Sequence, residues 1–68
     1  MTVDPKEIFE LIIKADEKLK YSTAANAEQR AAQARALLER ARDAARGIGN
    51  DALVQQAETR LADLPAEG

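Results

Sequence analysis

NAEQRAAQARALLERARDAARGIGN, residues 26–50, sets its apolar side chains at Ala27, Ala31, Ala34, Leu38, Ala41, Ala45 and Ile48, in steps of four, three, four, three, four and three. That spacing is the signature of one helical face seated against a neighbour. Most members are alanine, so a partner backbone can approach toward the short end of the usual interaxial range of about 8–10 Å. The stretch predicts a long central helix, with the flanking segments folded back onto it.

Working outward toward the N-terminus, Asp4, Pro5 and Glu7 form a helix start. Asp4 stands at the N-cap and Pro5 at the first helical position, where its missing N–H costs nothing. Glu7 lies in the first turn, where a negative charge favours the helix dipole. The helix is expected over 4–20, with a core stripe of Ile8, Leu11, Ile12, Ala15 and Leu19. Phe9 and Ile13 make a second apolar strip, roughly 100° round from Ile8. They either touch a further helix of the same chain or belong to an interface. Glu10 with Lys14 and Asp16 with Lys20 are spaced as supporting pairs.

The segment 20–26 has neither Gly nor Pro. The first stripe, continued, would land on Ser22, Asn26, Gln29 and Gln33, all polar, so the change of phase predicts a turn near 21–25. Ser22, Thr23 or Asn26 can cap the next helix, and Asn26 with Gln29 has capping-box spacing. The alternative is one unbroken helix from Pro5 to Arg46. The central helix, over 24–46 and about 35 Å long, ends at Gly47 or Gly49, either of which can take the left-handed conformation that closes a helix. Asn50 or Asp51 caps a third helix over 50–64, with stripe Leu53, Val54, Ala57, Leu61 and Leu64. Pro65 stops it, and 66–68 are expected to be loose. The fold class is therefore all-α: three helices in antiparallel hairpins, forming one small domain over residues 1–68.

The chain has 68 residues and a net charge of −2, from ten basic and twelve acidic side chains. A chain of this size buries only roughly 60% of its unfolded surface, which points to very regular packing or to a partner subunit. There is no Cys and no His, which removes disulfides, thiol chemistry and the usual near-neutral acid–base group. Ser22, Thr23, Thr59 and Tyr21 thus have no imidazole to activate them. No run approaches the roughly 20 apolar residues of a membrane span. The apolar stretch at 8–13 is too short for a signal peptide and contains Glu10. The sequence predicts no enzyme activity, no metal site and no cofactor, in a bacterial cytoplasmic setting.

From Ala34 to about Leu64 the chain resembles part of a tetratricopeptide-repeat array. Ala34, Leu38 and Ala41 match the small–x3–large–x2–small order of that family's second helix. Gly49 and Asn50 match its turn, and Ala57 matches the close-packed small residue of the next helix. The likeness covers under half the chain, and the first helix lacks the family's order of large, small and aromatic positions. Members of that family are scaffolds that hold protein partners, so the resemblance implies a protein-binding role.

The expected function is a non-enzymatic protein-interaction module that binds itself or another protein, with Phe9, Ile13, Tyr21 and Leu37 as its contact surface. The second reading is binding of nucleic acid or an acidic partner through Arg30, Arg35 and Arg42. Interspersed Glu28, Glu39 and Asp43, and a single Phe and Tyr, argue against nucleic acid. Glu39 and Asp43 are spaced to share an ion, but neighbouring arginines are expected to neutralise them. Arg30 stands near the apolar face, either laying its stem over the core or reaching Asp16 or Glu17.

Overall fold

Asp4 opens the first helix as its residue type requires, its carboxylate accepting the Lys6 N–H at 3.0 Å in extended backbone. A computed structural model, describing residues 3–64, carries the chain from there through α1 (Pro5–Lys20), α2 (Ala27–Gly47) and α3 (Asp51–Asp63). This is the expected all-α, three-helix arrangement with a long central helix. Met1, Thr2, the stop expected at Pro65 and the loose segment expected at 66–68 lie outside the described residues.

The first connection, 21–26, is a real turn, so the unbroken helix from Pro5 to Arg46 is ruled out. Polar side chains build it in place of glycine. The Ser22 hydroxyl donates to the Leu19 carbonyl at 2.8 Å and closes α1. Asn26 Oδ1 accepts the Thr23 N–H at 2.7 Å, while the Asn26 N–H bonds the Thr23 carbonyl at 3.1 Å. This is the reach-back half of a capping box, placed one turn earlier than the Asn26 and Gln29 spacing had indicated. Asn26 is the N-cap of α2 by position, but its side chain makes no capping bond.

The second connection is closed by backbone. Gly49 has φ +70°, its N–H bonds the Arg46 carbonyl at 3.1 Å, and the Asn50 N–H bonds the Ala45 carbonyl at 2.9 Å. Those two bonds define a Schellman ending with glycine in the left-handed position. The Asn50 side chain then accepts the Leu53 N–H at 3.1 Å and caps α3. Asn50→Ala should cost about 1 kcal/mol, read as a lower urea midpoint at unchanged slope. The Schellman bond survives that change because it uses only the backbone of residue 50.

Two short connections turn the chain back on itself twice, so α2 runs antiparallel to both neighbours. It packs along each of them, whereas α1 and α3 touch only briefly. The buried core is Ile8, Ile12, Ala15, Ala34, Leu38, Ala41, Ala45, Leu53, Ala57 and Leu64, all of them stripe positions. Leu11, Leu19, Leu37, Ala44, Ile48, Val54 and Leu61 pack partly buried around it. Ala27 departs from the stripe and is exposed. Leu64 has φ −70° and ψ 144°, the extended conformation that a following proline imposes.

Ion pairs fasten α3 at two levels. Arg46 meets Glu58 across the α2–α3 seam at 2.9 Å. Arg60 grips both oxygens of Asp16 through Nε, at 3.0 and 3.1 Å, and also donates to the Gln56 carbonyl at 3.3 Å. The Asp16 contact ties α3 to α1 directly. It replaces the Asp16 and Lys20 pair expected within α1. No Glu10–Lys14 ion pair forms among the described residues either.

Candidate interaction surfaces

A helix whose core face centres on Ile8, Ile12 and Ala15 leaves two flanks, and they differ in chemistry. Phe9 and Asp16 are seven residues apart and share a face, so Phe9 and Ile13 lie on the flank that turns toward α3, beside the Asp16–Arg60 contact. Phe9 is 45% exposed and Ile13 38%, and neither belongs to the buried core. α1 does touch both other helices, yet each of these two side chains keeps more than a third of its surface open to solvent.

The opposite flank of α1 carries Lys14 and Lys18, one turn apart. With Glu17, Tyr21 and, from α2, Arg30 and Leu37, they line a cleft of about 310 Å³ that opens to solvent. Leu37 is half-buried against the core, and Tyr21 is 62% exposed. Lys20 Nζ sits 5.7 Å above the centre of the Tyr21 ring, a cation–π distance. The four apolar residues expected to form one contact surface are therefore divided: Phe9 and Ile13 on one flank, Tyr21 and Leu37 in the cleft on the other.

No family model matches this chain, and the comparisons with curated proteins and with solved structures find no match.

The three arginines expected to act together are also divided. Arg42 Nε bonds Asp43 at 3.1 Å; the expected neutralisation is met at Asp43, while Glu39 makes no ion pair among the described residues. Arg35 is half-buried. Arg30 alone of the three lines the cleft. Asp16 is held by Arg60, so the contact between Asp16 and Arg30 that had been open does not form. Lys14 had been read only as a partner for Glu10, and Lys18 had not been singled out. Their i, i+4 spacing on the flank away from Phe9 was the available signal, because it sets two cations side by side. Among the described residues no group of three His, Cys, Asp or Glu side chains gathers as a metal site, and no helix is long and apolar enough to cross a membrane.

Proposed function

We propose that this chain is a small, non-enzymatic protein-interaction module that self-associates through the Phe9 and Ile13 flank of α1. The observation that carries the reading is two large apolar side chains one turn apart, 45% and 38% exposed, on a helix whose core positions are already filled. The slender core adds support. Its largest fully buried side chains are Ile8, Ile12 and Leu38, the rest of its fully buried members being alanine. An interface offsets that shortage of buried area. The absence of His and Cys from the sequence supports a non-catalytic role. A cytoplasmic setting and kinship with tetratricopeptide-repeat hairpins belong to the same proposal; the alanine contacts at Ala34, Ala41 and Ala57 support the latter.

Binding through an arginine track on α2 has less support, since Arg42 and Arg46 are engaged by Asp43 and Glu58.

Light scattering over a wide concentration range tests self-association. The unsubstituted chain should rise in molar mass with concentration. The Phe9→Glu/Ile13→Glu variant should stay monomeric to at least about tenfold higher concentration, which corresponds to a loss of about 1.4 kcal/mol, with its helicity unchanged. A monomer throughout, in the unsubstituted chain, removes the reading. Loss of helicity in the variant places both side chains in the fold rather than in an interface.

A further inference from the structure

The cleft on the other flank of α1 has a chemistry of its own. Three cations, Lys14, Lys18 and Arg30, and one anion, Glu17, surround it, on a chain whose net charge is −2. None of the four makes an ion pair among the described residues, while three of the remaining arginines are neutralised by carboxylates. Three unpaired cations thus stand together against one anion on an acidic protein. Leu37 and the Tyr21 ring give that place an apolar wall. At about 310 Å³ the cleft stands at the low end of ligand-site volumes, room for one large apolar side chain with its neighbours outside.

We infer that this cleft docks an acidic peptide segment of a partner protein, with one apolar anchor residue against Leu37 and Tyr21 and flanking carboxylates on Lys14, Lys18 and Arg30. The aliphatic stems of the lysines extend the apolar wall while their ammonium groups stay in water at the rim. Arg30 presents the planar fork that a carboxylate can accept in two bonds. Glu17 suits a peptide because its carboxylate can accept a backbone N–H. A DNA phosphodiester backbone has no such donor and is repelled by Glu17. Lys20 already covers one face of Tyr21, which also removes half of the stacking platform that a nucleobase would use.

This docking site lies on the flank away from Phe9 and Ile13, so it and the self-association proposal fail separately. The probe is a fluorescein-labelled synthetic peptide, Glu-Glu-Phe-Glu-Glu, titrated with the full chain at low salt and followed by anisotropy. Saturable binding is expected, weakened at least about tenfold by Lys14→Gln/Lys18→Gln, by exchange of the peptide glutamates for glutamine, or by exchange of its phenylalanine for alanine. Lys14 is exposed, so Lys14→Gln alone keeps the helix and should still weaken binding, while Lys14→Arg keeps the charge and the affinity. Amide shifts on titration should concentrate at Lys14, Lys18, Tyr21, Arg30 and Leu37, in the unsubstituted chain and in the Phe9→Glu/Ile13→Glu variant alike. Absence of saturable binding, equal binding of the glutamine peptide, tighter binding of a thymidine oligonucleotide, or a self-association that Lys14→Gln/Lys18→Gln abolishes would each overturn the inference.

Discussion

Leu38→Ala should lower the stability of this domain by about 3 kcal/mol, within the 2–5 kcal/mol that truncating a buried leucine costs. Leu38 is fully buried and is the largest side chain that α2 contributes to the core. Among the described residues, five of the ten that form the core are alanines, whose methyl groups are too short to move into the space left behind, so a cavity persists. A chain of this length has roughly 3–10 kcal/mol in total, at about 0.05–0.15 kcal/mol per residue. One truncation therefore removes from about 30% to nearly all of it, and a melt or urea titration followed by circular dichroism should find a correspondingly lower midpoint. Leu37→Ala, one residue along and half-exposed on the cleft wall, should cost under half as much, about 1 kcal/mol. Equal losses at the two positions would mean that Leu37 is as much a core residue as Leu38.

Ala57→Leu should be nearly as damaging for the opposite reason. Ala57 is wholly buried on α3, the shortest helix, facing α2. Three added carbons have no space in a seam closed by alanines, and overpacking of this kind costs about 1–3 kcal/mol. The helix least able to resist is the one that moves. As α3 shifts, Arg60 loses its hold on Asp16 and Arg46 its hold on Glu58. Hydrogen exchange should accelerate in α3 first, with α1 and the first half of α2 less affected. Ala62→Leu, the same change on the exposed side of α3, should fall within about 0.5 kcal/mol of the parent. Undiminished stability of Ala57→Leu would show that the seam is looser than its burial implies.

The helices were legible because each carries its face as a local repeat. Every buried residue belongs to a stripe that can be read with nothing but spacing, and Asp4, Gly49 and Asn50 announce their own roles through their chemistry. The turn at 21–26 was legible as a break in phase but not as a structure. Its bonds run from Ser22 to Leu19 and from Asn26 to Thr23, and nothing in residue type selects those partners over the capping geometry of Asn26 with Gln29. The Asp16–Arg60 contact spans 44 residues and depends on how far α1 and α3 slide along α2, which no local pattern encodes. The division of the surface has a similar cause. Periodicity places Phe9 and Ile13 on one strip of α1, but only the way α2 lies beside that helix brings Arg30 and Leu37 up to Lys14, Lys18 and Tyr21.

The alanine seam between the helices also shapes how this protein responds to temperature. Heat capacity of unfolding grows with the apolar surface released to water, and a core in which five of the ten described residues are alanine releases less of it per residue. The stability curve is correspondingly shallow. Its maximum is low but wide, cooling weakens the fold only slowly, and warming erodes it over a broad interval instead of collapsing it at a sharp midpoint.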